Sequence, residues 1–345
     1  MAYDSTPRAR KNPLGELQII EHVRTRASTT LSKSLSKSVR LGIGDDCAIL
    51  RPPSGHEILV TTDFSLEGRH FRRDWHPAAS AGHRTVARGL SDLAAMGAKP
   101  VAAFLSIALP DSSSENATWL DGFLDGLLAL AKKYGVPLAG GDTSQSPSNE
   151  ILADIVLIGS SPAGRALRRS SARAGDRIYC TGSLGGAAAE LASLVASPAK
   201  YRNSTAAGDH PHLFPKPRLA VGQALLHRRL ATSCIDLSDG LSTDLMHLCS
   251  SSNVSAEIDA ACLPIHPLAQ LDASMGLHAA LHGGEDYELL FTAAPITKMP
   301  RSIGGVAITQ IGRILSNRKG RPQVTLIDHE DHRSALPPQG WEHLR

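Results

Sequence analysis

Apolar residues recur along this chain in short runs of two kinds, and those runs divide it into helices and strands. Leu14, Leu17, Ile20 and Val23 step by three, which places them on one face and predicts a helix over Leu14–Arg26. Ala48–Leu50 and Ile58–Thr62 flank a Pro-Pro-Ser-Gly turn and read as strands, leaving Thr61, Thr62 and Asp63 at a strand end. From Pro77 to Met96, Val86, Leu90, Leu93 and Ala94 return at helical spacing, with Pro77 placed to open the helix and Gly97 to stop it. A strand at Val101–Leu109, a helix at about Glu115–Tyr134 with Trp119, Phe123 and Leu127 at spacing four, and strands at Val136–Ala139 and Ile151–Ile158 complete the first half.

Between Ser160 and Gly175 the sequence turns polar and Arg-rich, which marks a domain boundary. The second half begins with a strand at Arg177–Thr181 and a glycine turn, GSLGGAAAEL, that opens a helix. Such a turn either presents backbone N–H groups to an anion or serves only as a tight turn. Ser197–Pro217 is a long polar loop, in which His210 and His212 read as solvated, and a helix follows to about Arg229. A strand at Thr232–Ile235 leads into DLSDGLSTDLMHL, where Ser238 or Asp239 is expected to cap a helix with Leu241, Leu245 and Leu248 on its apolar face. Strands at Val306–Ile314 and Val324–Ile327 close the chain. The fold class is therefore α/β of the α+β type in two domains, residues 14–160 and 161–345, after a basic lead-in at 1–13.

Acidic residues gather where these elements end. Asp45 and Asp46 sit in GIGDD, Asp63 in TTD, Asp92 near a helix end in SDLAAMGAKP and Asp142 after GG. Each has an ordinary explanation: an Asx turn for GIGDD, an Arg88–Asp92 pair at spacing four, a cap for Asp236 and Asp239. Their accumulation does not. Carboxylates brought together repel by about 4 kcal/mol per pair at 4 Å in a medium of effective dielectric 20, so a fold that converges them calls for a hard divalent cation. Oxygen ligands without thiolate or paired imidazole suit magnesium or manganese, and magnesium in turn suggests a phosphate substrate.

Composition narrows the surroundings more than the chemistry. With 345 residues, 42% hydrophobic and 20% charged, this is an ordinary soluble globular composition with room for two cores. The net charge of +3 is uneven: residues 1–40 hold 8 Lys/Arg against 3 Asp/Glu, but few aromatics, so nucleic-acid binding is not expected. The five cysteines are odd in number and lack a CxxC pair, which predicts thiols in a reducing compartment. The longest strongly apolar charge-free run, Val101–Pro110, is half the roughly 20 residues a membrane span needs, so the expected location is cytoplasmic, with no membrane partner. Phosphate loops of the GxxxxGK[ST] type, HRD/DFG pairs, GxSxG elbows and HExxH are absent, and HEDH at His329–His332 has the wrong spacing for zinc.

Seven segments in order, GIGDDCAIL, TTDFSLEGRHF, SDLAAMGAKP, GGDTS, GRALRRS, IDLSDGL and GGEDYELL, closely resemble the thiamine-monophosphate kinase family from about residue 14 to the C-terminus. The resemblance implies a two-domain fold like that of aminoimidazole ribonucleotide synthetase, with the N-terminal domain pairing across a homodimer and ATP between the domains. It implies ATP-dependent phosphorylation of thiamine monophosphate to thiamine diphosphate, assisted by several Mg²⁺ ions. Carried over by residue, Asp46, Asp63, Asp92, Asp142, Asp236 and Asp239 become magnesium ligands, supplemented by Thr61 and Thr62. Gly141, Arg169 and Ser238 become ATP contacts, and His70, Glu285 and Trp341 contacts to thiamine monophosphate. Asp92, Asp142, Asp239 and Arg169 are then the residues expected to carry catalysis. The match is weaker over the first 13 residues, 198–214 and 315–338.

Overall fold

The computed structural model describes residues 16–30, 38–111, 113–271, 273–317 and 320–341. The basic lead-in and most of the Ser-rich stretch after the first helix lie outside the described residues.

In the N-terminal part, α1 (Glu16–Thr30) precedes β1 (Val39–Leu41), β2 (Ile49–Leu50) and β3 (His56–Leu66). Next come α2 (Ala78–Ala95), β4 (Lys99–Leu109), α3 (Ser114–Lys133), β5 (Leu138–Gln145) and β6 (Leu152–Pro162). Four strands form a sheet in the order β3-β6-β4-β5, antiparallel except for the β4–β5 pair. One face is covered by α2 and α3. These two helices approach until their backbones nearly touch, because Gly82 and Gly126 lack side chains: a Cβ at either would lie 1.8 Å from the carbonyl oxygen of Phe123 or Ala79.

The C-terminal part comprises β7 (Arg177–Thr181), α4 (Gly186–Ala196), α5 (Leu219–His227), β8 (Ser233–Asp236), α6 (Leu241–Ser252) and β9 (Val254–Asp259). It continues through α7 (Ala273–His282), β10 (Leu289–Ala293), β11 (Ser302–Ile303), β12 (Val306–Ser316), β13 (Val324–Ile327) and β14 (Arg333–Ala335). Its sheet runs β14-β13-β9-β12-β7-β10-β8, with β11 paired to β12. Here the sequence pattern missed β9, β10 and α7. Strand β10 is wholly buried, so it has no polar-apolar alternation to read.

The two parts are packed through α2. Buried apolar residues of α2, α5 and β10 belong to one continuous core, and a Cβ at Gly222 of α5 would stand 1.9 Å from the Ala94 carbonyl oxygen. Helix α2 is therefore buried nearly all round, and its polar residues face the seam between the domains.

Two local expectations are corrected. Asp63 and Asp142 lie inside β3 and β5 rather than at strand ends, because β3 stays in register with β6 as far as Leu66↔Leu152 and β5 with β4 as far as Gln145. Helix α6 is preceded by Gly240, at φ +109°, and neither Ser238 nor Asp239 caps it with a side chain. That work falls to Asp244, whose Oδ2 accepts the N–H groups of Asp239 and Gly240 at 3.1 Å each.

Candidate active site

A cavity of about 880 Å³ opens along the seam. Period-two geometry in β3 turns Thr61 and Asp63 toward α2, while helical spacing places Arg84, Arg88 and Asp92 four residues apart on one face of α2. The turn after β8 contributes Asp236, Ser238 and Asp239, and the segment before β10 contributes Glu285 and Tyr287. Of the residues expected from the sequence, Asp63, Asp92, Asp236, Asp239, Thr62, Ser238, His70, Glu285 and Trp341 line this one cavity. Asp46 and Asp142 do not: both are exposed, Asp46 in the loop before β2, where Asp45 Oδ1 accepts its N–H, and Asp142 within β5, where its Oδ1 accepts the Thr143 N–H. Gly141 also lies outside the lining; its missing side chain admits Leu105, whose carbonyl oxygen would be 1.8 Å from a Cβ there.

The acidic cluster shows what it costs to hold these groups together. Burial, then the charge of Asp92, pushes the Asp63 carboxyl up to about 6. Asp236, the last residue of β8, is pushed up to about 7 by burial and by Asp92, against the Ser91 hydroxyl and Arg169. Asp92 is raised by burial as well, while the Thr61 hydroxyl bonded to its Oδ2 and the Arg169 guanidinium pull the other way. Asp63 Oδ2 is buried and accepts no hydrogen bond. An anionic oxygen left bare in a polar cavity is the signature of a partner supplied from outside. Among the described residues no three such side chains already surround a single point closely enough to hold a metal.

On the wall by Glu285 the balance of charge reverses. Arg84 Nη2 and Arg88 Nη2 donate to Glu285 Oε1 at 2.6 and 3.3 Å, and His212 Nδ1 stands 3.1 Å from Oε2. The Arg84 guanidinium, with help from His212 and Arg88, overcomes burial and holds Glu285 well below the usual carboxylate range. Glu285 occupies this place at φ +67°, a conformation costing a residue with a side chain roughly 1–3 kcal/mol, and its N–H is fixed to the Ser238 carbonyl at 2.8 Å. Arg88 thus pairs with Glu285 instead of Asp92. Arg84 and Tyr287 had no part in the reading of the sequence, and Arg88 entered it only as an ordinary partner for Asp92, although the spacing of Arg84, Arg88 and Asp92 was visible there. His212 is corrected from solvated to buried, with its side chain 2% exposed.

Trp341, half exposed, reaches the cavity because the C-terminal segment is fastened to the first turn of α6 and to Asp239 just before it. Gln339 N–H donates to Ser242 Oγ, Gly340 N–H to Thr243 Oγ1 and Trp341 N–H to the Asp239 carbonyl at 3.3, 3.0 and 3.0 Å. In the glycine turn before α4, which the sequence reads either as presenting N–H groups to an anion or as only a tight turn, Asp286 accepts the N–H groups of Gly185 and Ala187 at 2.7 and 3.1 Å, so these two donors are engaged within the protein.

Residues 44–161 match the AIR synthase related protein N-terminal domain, and residues 173–318 the corresponding C-terminal domain. The thiamine-monophosphate kinase of Escherichia coli strain K12 is 40% identical over 301 residues, covering 84% of this chain and 88% of that protein. The chain belongs to the thiamine-monophosphate kinase family. A family member from Bacillus subtilis strain 168 is 32% identical over 89% of this chain and 94% of its own. The thiamine-monophosphate kinase structure from Stenotrophomonas maltophilia K279a superposes with a TM-score of 0.74 at 35% identity, covering 89% of this chain and 95% of that one. The structure of AaThiL complexed with AMPPCP and TMP superposes at 0.72 with 28% identity, over 99% of this chain and 100% of that one. These family relatives share both domains, and with them the two-domain fold that the resemblance implied.

Proposed function

We propose that this protein phosphorylates thiamine monophosphate with ATP, giving ADP and thiamine diphosphate. The observation that carries the reading is the lining of one interdomain cavity by Asp63, Asp92, Asp236 and Asp239 together with Glu285, Arg88 and Trp341. AaThiL, which shares the fold over the full chain, is complexed with an ATP analogue and TMP. The acceptor is a phosphate oxygen largely ionised near neutral pH, so the transfer needs no strong base from the protein. Its barrier is the repulsion between two anions, and catalysis is accordingly positioning and charge compensation in a direct in-line transfer.

Asp63, Asp92, Asp236 and Asp239 are the residues that would hold Mg²⁺, with the bare Asp63 oxygen as its most evident ligand; Thr61 is bonded to Asp92, and Thr62, whose hydroxyl donates to Asp154, is carried as a supplementary ligand on the resemblance. Bound there, magnesium would neutralise charge on the phosphates as it shifts to the leaving ADP oxygen. Asp46 and Asp142 are carried as further ligands, and Gly141 as an ATP contact, on the resemblance alone. Ser238 and Arg169 are proposed to contact ATP. Arg169 lies close enough to Asp92 and Asp236 to moderate both, and its guanidinium adds a fixed positive charge. His70, Glu285 and Trp341 are assigned to thiamine monophosphate, with Glu285 offering negative charge to the thiazolium and Trp341 a ring face.

A homodimer is proposed on the open face of the N-terminal sheet. Ile58, Val60 and Phe64 are 42%, 64% and 64% exposed on β3, beside the Val156 position of β6, while farther along the same face Ile158 and Phe104 pack in a cluster with Val39, Ala48 and Leu50. A self-complementary sheet face of this kind is what a two-fold interface uses. The cytoplasm is proposed as the location, supported by five free cysteines, three of them buried. No helix of the described residues is long and apolar enough to cross a membrane.

The test is direct. Purified protein with ATP, magnesium and thiamine monophosphate is expected to yield thiamine diphosphate by chromatography, and none from unphosphorylated thiamine. ATP binding without product from either acceptor would move the assignment to another substrate of this fold.

A further inference from the structure

Behind Glu285 stands a set of buried polar groups that phosphoryl transfer itself does not use. The segment 210–215 leaves the C-terminal domain and lies along α2. Ser80 Oγ donates to the Leu213 carbonyl and His83 Nε2 to the Pro215 carbonyl, each at 2.8 Å, and Arg84 donates to the His212 carbonyl. From the other domain, Glu190 of α4 accepts the N–H groups of His212 and Leu213 at 2.7 and 3.2 Å. The backbone of His212 is thus gripped from both sides of the seam.

Its ring continues the connection. His212 Nε2 lies 3.0 Å from His76 Nε2, and the Arg72 N–H points at His76 Nδ1 from 3.2 Å. A backbone N–H is a donor that cannot be withdrawn, so His76 Nδ1 is the acceptor and its proton resides on Nε2. His212 Nε2 must then accept, which leaves the proton of His212 on Nδ1, directed at Glu285 Oε2 3.1 Å away. The reverse assignment has Arg84 Nη1 donate to His212 Nδ1 and His76 Nδ1 to the Arg72 carbonyl, at 3.1 and 3.3 Å. It sets a lone pair of His212 against the Glu285 carboxylate and two N–H groups against each other at Arg72, whereas the first set opposes donors only at Arg84 Nη1, which keeps its bond to the His212 carbonyl, so the first set is the better satisfied.

We propose that His212 and His76 are positioning residues for the thiamine-phosphate subsite, together fixing the second oxygen of Glu285 through an uncharged donor. The proposal rests on the reading of Glu285 as a contact to the acceptor. An uncharged donor matters because Arg84 and Arg88 already place two positive charges on Oε1, and a third would work against a cationic thiazolium. Burial, and then the nearby Arg84 guanidinium, keeps both rings neutral. Leu237 and Ser238 carbonyls hold Tyr287 and Glu285 by their N–H groups, so the Oε2 bond settles the side chain and not the backbone.

The experiment compares His212→Asn with His212→Leu and His76→Gln with His76→Leu, alongside Glu285→Gln. Asparagine presents an N–H near the Nδ1 position and glutamine near Nε2, so the amide variants keep the donor that the leucine variants delete. Losing a hydrogen bond to a charged group should raise KM for thiamine monophosphate about tenfold in the leucine variants. The amide variants should recover most of this, and ATP affinity should be unchanged throughout. If Glu285→Gln raises the acceptor KM while the leucine variants do not, or if ATP and acceptor are affected alike, the proposal is overturned. If Glu285→Gln leaves the acceptor KM unchanged, it is the assignment of Glu285 to the acceptor that fails. Should the leucine variants not fold, His212→Gln, whose amide is displaced from Nδ1, must lose acceptor affinity where His212→Asn keeps it, and equal affinities overturn the proposal.

Discussion

Ser91 donates its hydroxyl hydrogen to Asp236 Oδ2 at 2.7 Å, tying the last residue of β8 in the C-terminal domain to the N-terminal helix that carries Asp92. The bond is buried, and it stabilises the ionised form of Asp236 against the repulsion of Asp92. The seam between the domains is thereby the place where the acidic cluster is both assembled and restrained.

The cluster should make the metal-free protein pH-sensitive in a defined direction. Asp63 has its carboxyl raised to about 6 by burial and by Asp92, so its ionised form opposes folding. Asp63→Asn is expected to raise Tm relative to wild type above pH 6. The gain should shrink as pH falls and vanish below about pH 4, where the carboxyl is protonated in folded and unfolded chains alike. Thermal melts of both proteins from pH 4 to 8 measure it; a constant or opposite difference would count against a bare, buried carboxylate.

The same cluster should respond to a divalent cation before any nucleotide is added. Titrating magnesium or manganese into apo protein at pH 8 is expected to raise Tm, since a ligand bound by the folded state alone stabilises it by mass action. Chelation should reverse the shift, and Asp63→Asn and Asp92→Asn should abolish it. Asp92→Asn should also reduce kcat at least about a hundredfold while leaving the fold intact, roughly 3 kcal/mol of transition-state stabilisation.

Gly340 is expected to govern the place of Trp341. A Cβ at residue 340 would meet the Asp239 carbonyl oxygen at 1.9 Å, so Gly340→Ala must lift the tail from the turn before α6. The variant should resemble Trp341→Ala, with a raised KM for thiamine monophosphate and little change in Tm. Steady-state kinetics with each substrate varied in turn distinguishes this from a general loss of structure.

The open sheet face gives a test of assembly. Val60→Asp and Phe64→Lys place charges on positions that are already 64% exposed in the single chain, so neither should destabilise the monomer by much. Each is expected to shift a dimer toward monomer in sedimentation velocity. Unchanged sedimentation of both variants would remove this face as the interface.

Much of the local structure was legible in the residues. Helix α2 and helix α3 announced themselves by spacing, the apolar row of Val86, Leu90, Leu93 and Ala94 is buried as expected, and β7, β12 and β13 fall where apolar runs placed them. Strands buried on both sides were harder, since β10 lacks the alternation that separates a strand from a short core helix. Asp63 and Asp142 were misplaced at strand ends because the sequence marks a turn by its residues, whereas a strand continues as long as a neighbour offers hydrogen bonds.

What the sequence determined by itself was the set of elements, the acidic groups and, through seven ordered motifs, the family. The tertiary structure decided which of those groups meet. Asp63, Asp92 and Asp236 come from three elements that only the packing of α2 against both domains brings together, while Asp46 and Asp142, equally prominent as motifs, remain outside on exposed segments. It also turned His212 from a polar residue in a loop into a buried donor, because the carbonyls of 212, 213 and 215 find their partners on α2. Spacing along a chain fixes neighbours within an element, but a charge is made functional by the groups that surround it, and those are set by contacts between residues far apart in sequence.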